Sequence, residues 1–95
     1  MQRAKRRVES ALSKKGFKQD ERKHHFYIYH TLNGKRTSIH THTSHGSKTK
    51  DLGASLLNEM ARQCRLEAAD FLNLVDCPLD QDAYEAALRE AGLLP

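Results

Sequence analysis

Two short runs rich in β-branched and aromatic residues, separated by Asn33-Gly34, most constrain how this 95-residue chain can fold. An Asn-Gly pair favours a two-residue type I′ turn, because both residues tolerate a positive φ. The flanking runs are long enough for paired strands and contain no proline. The sequence therefore predicts a β-hairpin over residues 24–43.

Placing Asn33 and Gly34 in the loop fixes a register for this hairpin. Ile28 then pairs with Ile39, and Phe26 shares their face, so that this face is expected to cover the helices. The opposite, open face is expected to carry three cross-strand pairs: His25–His42, Tyr27–His40 and Tyr29–Ser38. A slip of one residue would exchange the two faces.

All six histidines of the chain lie between His24 and His45. Histidine titrates close to neutral pH, so it suits both proton transfer and metal ligation. Three interpretations stay open: RNA chemistry or binding, a metal site, and a purely structural role in which the imidazoles are satisfied at the strand ends. The spacing of His40, His42 and His45 fits zinc. Against it, residues 24–49 contain no Asp, Glu or Cys to support such a site.

Charge divides the chain into two opposed halves. Residues 1–50 carry thirteen Lys or Arg against three Asp or Glu, a formal +10, whereas residues 51–95 carry three against nine, a formal −6. A strongly basic half favours an anionic partner. Nucleic acid is the commonest such partner, because each neutralised phosphate releases counterions. The alternative for the basic first helix is a solvated surface.

Size and cysteine spacing limit the class of protein. An apolar content of 38% in 95 residues allows one domain with a small core. Cys64 and Cys77 match neither a metal nor a disulfide spacing, which predicts buried free thiols in a reducing compartment. The first ten residues lack the apolar run of a secretory signal, and no segment is apolar enough to span a bilayer. These features predict a cytoplasmic protein that does not associate with membranes.

Helical periodicity flanks the hairpin on both sides. An apolar face predicts a first helix over residues 3–15, which Gly16 ends before a short extended segment over 17–20. A second helix is expected over about 48–63, with Gly53 inside it.

The last thirty residues predict two further short helices. The first covers 66–75, and the second follows the break at Pro78 with Asp80 as its N-cap. The inward face of the last helix is expected to carry Tyr84, Ala87, Leu88 and Ala91. This pattern divides the chain into a core over 1–65 and an acidic helical extension over 66–95 that packs on it.

Three short motifs sharpen the order helix, strand, hairpin, helix over residues 3–65. They are GF at 16–17, HHFY at 24–27, and SIHTH at 38–42 ahead of a helix containing LLNEMARQCRL. Together they resemble the HicA toxins, small mRNA-cleaving partners of HicB antitoxins with a double-stranded-RNA-binding-like fold. The sequence departs from the family pattern at Lys23, where the family has serine, and at His40, where it has proline.

The resemblance implies RNA cleavage by a histidine acting as general acid or base, with no cofactor. His24 matches the catalytic histidine of the family, and the predicted register offers His25 with His42 as a second candidate pair. Nearby cations would stabilise charge on the phosphate. The candidates are Lys23, Lys35, Arg36, Lys48 and Lys50. Tyr27 is a candidate for stacking on a base, with cross-strand packing as the structural alternative.

The sequence thus predicts an α+β protein of order α-β-β-β-α, with a three-stranded antiparallel sheet, helices on one face and a C-terminal helical pair. Its expected function is that of a toxin-like endoribonuclease acting on messenger or single-stranded RNA, with RNA and a HicB-like antitoxin as partners. The first alternative is a non-catalytic RNA-binding module. The second is a metal-binding protein with His40, His42 and His45 as ligands.

Overall fold

Three antiparallel strands form the main sheet of the molecule. The computed structural model describes residues 2–23, 25–43, 51–76 and 78–94. The strands β2 (Phe17–Gln19), β3 (Phe26–His30) and β4 (Arg36–His42) lie in the order β2-β3-β4. Their arrangement confirms the predicted α+β class and the predicted three-stranded antiparallel sheet.

Four helices and a smaller sheet complete the described part of the chain. The helices are α1 (Lys5–Lys14), α2 (Ala54–Gln63), α3 (Ala68–Val75) and α4 (Gln81–Glu90). The smaller sheet pairs β1 (Gln2–Ala4) with β5 (Asp51–Gly53) in antiparallel register. All four helices contribute to one apolar cluster together with the inner face of the main sheet.

The small sheet corrects both predicted helix starts. The first helix does not include Arg3, because β1 precedes it and the Arg3 side chain pairs with Asp76 at 2.9 Å, beside the end of α3. Gly53 is not inside the second helix but is its N-cap, with extended backbone at φ −84° and ψ 175°. Strands of three residues are too short to show an alternating pattern, so periodicity could not reveal them. The predicted helical residues 48–50 lie outside the described residues.

The C-terminal helices follow the prediction more closely. Asp80 caps α4, because its side chain accepts a hydrogen bond of 2.8 Å from the Ala83 amide. The buried face of α4 consists of Tyr84, Glu85 and Leu88, whereas the predicted inward residues Ala87 and Ala91 are exposed. Cys64 is a buried free thiol, as predicted. Cys77 lies outside the described residues.

Gly16 joins α1 to β2 at a point where α4 approaches closely. Its φ is +100°, a conformation that L side chains rarely adopt. A Cβ at this position would lie 2.8 Å from the Tyr29 ring and closer still to the Gln81 side chain. The turn therefore requires glycine both for its backbone and for its lack of a side chain.

The hairpin loop has three residues rather than two. The Thr31 amide donates to the Lys35 carbonyl, and the Gly34 amide donates to the Thr31 carbonyl. Gly34 has a φ of +82°, whereas Asn33 has no positive φ. This is a type I turn followed by a left-handed glycine, the common three-residue alternative to type I′.

The longer loop changes the strand register by one residue. Next to the loop His30 lies opposite Arg36, and beyond an irregularity the partners are Phe26–His42, Tyr27–Thr41 and Ile28–His40. The predicted pairs Ile28–Ile39 and Tyr27–His40 are therefore wrong. Because successive side chains alternate between faces, the slip moves every β3 side chain to the other side. Tyr27 and Tyr29 lie in the core, and Phe26 lies on the open face.

A buried carboxylate ties α4 to this hairpin. Glu85 Oε1 accepts hydrogen bonds from the Tyr29 hydroxyl at 2.7 Å and from the Leu32 amide at 2.8 Å. Its second oxygen lies 3.0 Å from the Arg89 guanidinium. Burial acts to raise the pKa of Glu85, but these hydrogen bonds outweigh it and hold the pKa below the ordinary value. Glu85 is therefore an ionised group at neutral pH despite an exposure of only 4%.

Replacing Glu85 with Gln should lower the free energy of unfolding at pH 7 by about 2 kcal/mol, because Tyr29 and Leu32 would then donate to a neutral amide oxygen and the ion pair with Arg89 would be lost. The pKa of Glu85 is lower in the folded protein than the unfolded value of 4.5, so the ionised carboxylate stabilises the folded state above pH 4.5. This stabilisation is lost as the pH falls through the folded pKa. The difference between wild type and Glu85→Gln should thus shrink below pH 4.5. Urea denaturation across pH 3–7 measures it.

Glu90→Gln is the matched control, since Glu90 is an exposed residue at the end of the same helix. This substitution should change stability by less than about 0.5 kcal/mol. A loss in Glu85→Gln that stays constant with pH would contradict the assigned role of the carboxylate.

Candidate nucleic-acid interface

The face of the main sheet that points away from the helices gathers an aromatic ring, imidazoles and cations. Alternation along each strand places these side chains on one side. We call this surface the open face and define it by Lys18, Phe26, Ile28, His30, Arg36, His40 and His42. Apart from Ile28, each of these side chains could contact a base, a ribose or a phosphate.

Phe26 is the centre of a group of stacked rings on the open face. Its ring centroid lies 4.9 Å from that of His40, with 24° between the planes, and 6.5 Å from that of His42, with 8° between the planes. The Lys23 ammonium lies 5.3 Å from the Phe26 centroid. We call Phe26, His40 and His42 the Phe26 stack. Stacked planar rings beside a cation form a surface suited to nucleic-acid bases.

A second part of the open face is a broad cavity of about 480 Å³ beside β2 and the loop end of the hairpin. Its lining residues are Lys18, Gln19, Asp20, Glu21, Arg22, Ile28, His30 and Arg36. Three cations thus face two carboxylates there. One of these carboxylates, Asp20, accepts a hydrogen bond of 2.7 Å from the backbone amide of Arg22. The cavity is positive on balance and can hold phosphate.

Backbone carbonyls set the tautomers of two open-face histidines. His30 Nδ1 lies 3.0 Å from the Ile28 carbonyl oxygen, and His40 Nδ1 lies 3.0 Å from the Ser38 carbonyl oxygen. A carbonyl oxygen only accepts, so each Nδ1 must carry the hydrogen. In the neutral rings the lone pair is then on Nε2. His40 is exposed, so its Nε2 is placed to accept a proton at the surface.

His25 lies on the other side of the sheet, toward α1. Its Nδ1 is 2.7 Å from Glu9 Oε2, which also accepts a hydrogen bond of 2.6 Å from the Thr43 hydroxyl. Burial raises the pKa of Tyr27 to about 12, and the Glu9 carboxylate contributes to the rise. Glu9 therefore connects α1 to both outer ends of the hairpin. His25 also has a positive φ of 65°, which turns the chain as it enters β3.

The structure brings only some of the predicted site residues together. His40 and His42 lie on the open face as predicted, Lys23 approaches it over Phe26, and Arg36 stands opposite His30. Lys35 is an exposed residue next to the hairpin loop and lines a separate cavity of about 210 Å³ with Arg89. The predicted residues His24, His45, Lys48 and Lys50 lie outside the described residues.

Two of the predicted site residues do not lie where the sequence placed them. His25 does not face His42, because the register shift turns His25 toward Glu9 and leaves His42 on the open face. Tyr27 does not lie on the open face, since it is 4% exposed within the core and cannot stack on a base there. The aromatic ring that does lie on the open face is Phe26, which is half-buried there and which the predicted register had placed on the inner face. The same Asn-Gly pair also permits a three-residue loop, and the register that follows from such a loop would have placed Phe26 on the open face.

A metal site is not formed within the part of the chain that the structure describes. No group of three His, Cys, Asp or Glu side chains in these residues could hold an ion. The third predicted ligand, His45, is not among them, so the three-histidine site stays a prediction. None of the described helices has both the length and the apolar character needed to cross a bilayer.

No family model, curated protein or solved structure matches this chain. The resemblance to HicA toxins thus rests on the short motifs alone and stays a prediction. Any functional conclusion must come from the chemistry of the open face, because a fold by itself does not define a function.

The fixed tautomers of His30 and His40 can be measured directly. We expect ¹⁵N spectra of the imidazole rings above pH 8 to show both residues as Nδ1–H tautomers, because each Nδ1 donates to a carbonyl. The same rings in urea provide the reference, since unfolding removes the carbonyl partner. Folded protein with the hydrogen on Nε2 of both rings would contradict the geometry.

Proposed function

We propose that this protein binds single-stranded RNA on the open face of its sheet. The observation that carries this proposal is the Phe26 stack, in which an aromatic ring adjoins two imidazoles beneath the Lys23 ammonium. Any base can stack on such rings, because every base has a π face. Lys23 is exposed, so its ammonium can move from the ring to an adjacent phosphate as the base stacks.

Single strands fit this surface better than duplexes. Bases in a duplex are already stacked on one another and cannot lie on a protein ring, whereas unpaired bases can. The broad positive cavity beside Lys18 and Arg36 can take the phosphates that follow the stacked base. Since each phosphate contact releases counterions, binding should weaken steeply with salt.

The chemistry of His40 favours RNA over DNA. Its Nδ1 donates to the Ser38 carbonyl, which leaves the Nε2 lone pair of the neutral ring as an acceptor. A ribose 2′-hydroxyl can donate to this atom, and a deoxyribose has no such donor. The proposal includes a cytoplasmic setting, in keeping with the buried free thiol of Cys64.

RNA cleavage is the second candidate function, and the same His40 atom favours it. In the toxin-like reaction an imidazole takes the proton of a 2′-hydroxyl, whose oxygen attacks the adjacent phosphorus. The bond from phosphorus to the 5′ oxygen breaks, and an imidazolium donates a proton to that oxygen. The products are a 2′,3′-cyclic phosphate and a 5′-hydroxyl. His42 is a candidate for the second imidazole, and His24 is the residue favoured by the HicA resemblance.

A HicB-like antitoxin belongs to this second candidate function. Such a partner would have to cover the open face to block the RNA. An acidic surface would suit it, because the open face carries Lys18 and Arg36 beside its histidines.

Replacing Phe26 with Leu should weaken RNA binding by about 5- to 150-fold, because stacking on an aromatic ring contributes about 1–3 kcal/mol per base. Phe26→Tyr keeps the ring and should bind within about twofold of wild type. Fluorescence anisotropy with a labelled single-stranded 12-mer RNA measures the effect, and thermal unfolding verifies that both variants fold. Equal affinity of the Leu and Tyr variants would refute stacking at Phe26.

Cleavage is tested with the same RNA and with a copy that lacks every 2′-hydroxyl. If the protein cleaves, the RNA should yield 2′,3′-cyclic phosphate ends and the deoxy copy none. His40→Gln should then slow cleavage by about 100-fold or more. His24→Ala tests the assignment from the resemblance, and His25→Ala is expected to retain activity. Binding without any product would leave a non-catalytic RNA-binding protein.

A further inference from the structure

We propose a phosphate-binding subsite at the edge of the open face, between β4 and the C-terminal end of α2. This inference rests on the proposed RNA binding and extends it to a place that the sequence analysis did not identify. A cavity of about 270 Å³ lies there, lined by Ser38, His40, Glu59, Arg62, Gln63 and Arg65. Its ligand is a backbone phosphodiester of the bound RNA strand.

The fold presents two arginines at this cavity. β4 is the edge strand of the main sheet, so the last turn of α2 can reach Ser38 and His40 from the side. α2 closes with a hydrogen bond of 2.9 Å from the Leu66 amide to the Ala61 carbonyl. Arg65 stands at the left-handed position of this closure, with a φ of 65°, where glycine is the usual residue. The chain thus keeps a guanidinium at a position that disfavours any side chain.

The polar groups of the cavity are mainly donors. Gln63 Oε1 accepts a hydrogen bond of 2.7 Å from the Thr41 hydroxyl, so the remaining polar group of the Gln63 side chain is its donating amide nitrogen. The Ser38 hydroxyl and the guanidinium groups of Arg62 and Arg65 add further donors. Phosphate oxygens only accept, so this donor set matches a phosphodiester.

Glu59, the one carboxylate among the described lining residues, does not cancel this charge. Glu59 lies 3.5 Å from Arg62, and the two side chains are 53% and 77% exposed. Exposed pairs of this kind contribute little, so Arg62 can exchange Glu59 for phosphate. Two arginines against one carboxylate leave a single positive charge, equal and opposite to that of a phosphodiester. A bidentate arginine–phosphate contact is also the stronger interaction.

His40 connects the subsite to the rest of the open face. It stacks on Phe26 and also lines the cavity. A base stacked at Phe26 would therefore have its ribose beside His40 and its neighbouring phosphate beside Arg62 and Arg65. The strand would cross the edge of the sheet at β4 and continue toward α2.

The structural alternative is that both arginines are merely solvated at a helix end, where positive charge is favourable. Salt dependence separates the two roles. The double variant Arg62→Gln with Arg65→Gln should raise the Kd for the labelled 12-mer RNA about tenfold or more in 50 mM salt. Its slope of log affinity against log salt should fall by about 0.7 for each phosphate that the protein no longer neutralises.

The matched control removes two charges behind the sheet. Arg6 and Lys14 are exposed residues of α1, and their double glutamine variant should keep the wild-type salt slope. The single variant Arg62→Gln, which leaves the left-handed Arg65 unchanged, should show about half of the slope change. Thermal unfolding verifies that each variant folds.

Two results would overturn the subsite and leave the proposed function standing. One is an unchanged Kd and salt slope in the arginine variant while Phe26→Leu still weakens binding. The other is an equal loss of affinity in the α1 control. If wild-type protein does not bind single-stranded RNA even in 50 mM salt, the subsite and the proposed function fail together.

Discussion

The hydrogen bond between Tyr29 and the buried Glu85 carboxylate is the interaction on which the arrangement of the sheet depends. A buried charge is costly unless it is paired, so Glu85 needs donors from whatever covers it. It obtains them from the Tyr29 hydroxyl and the Leu32 amide, both on the hairpin. At the other end of β3, the Glu9 carboxylate of α1 lies close enough to Tyr27 to contribute to the raised pKa of that tyrosine. Two tyrosines of one strand thus face two helix carboxylates, and together they define its inner face.

The inner face in turn determines the outer one. With Tyr27 and Tyr29 directed at the helices, alternation leaves Phe26, Ile28 and His30 on the open side of the sheet. The aromatic ring that the open face offers is therefore a phenylalanine, which needs no hydrogen-bonding partner of its own. Stability and the proposed RNA binding are linked through a single choice of register. A weakened contact between α4 and the hairpin would therefore also disturb the side chains of the open face.

The sequence specified the elements better than their pairing. The hairpin, the order of the three strands, the Asp80 cap and the outward histidines of β4 followed from local patterns. The register of β3 did not, because its two carboxylate partners are at positions 9 and 85, far from the hairpin in sequence. The smaller sheet of β1 and β5 was not predicted for a similar reason, because each three-residue strand forms only by pairing with a partner far away in sequence. Arg62 and Arg65 were missed because they lie in the acidic half of the chain.

The surroundings of Gly16 offer a structural explanation for the GF motif at 16–17, one of the three motifs that resemble the HicA toxins. The turn there admits no side chain, because the Tyr29 ring and the Gln81 side chain occupy the space that a Cβ would take. Phe17, the next residue, is buried against the rings of Tyr29 and Tyr84. The packing of α4 against this turn thus explains the Gly-Phe dipeptide, independently of any chemistry that the protein performs. Two chains could share this dipeptide through common architecture without sharing an activity.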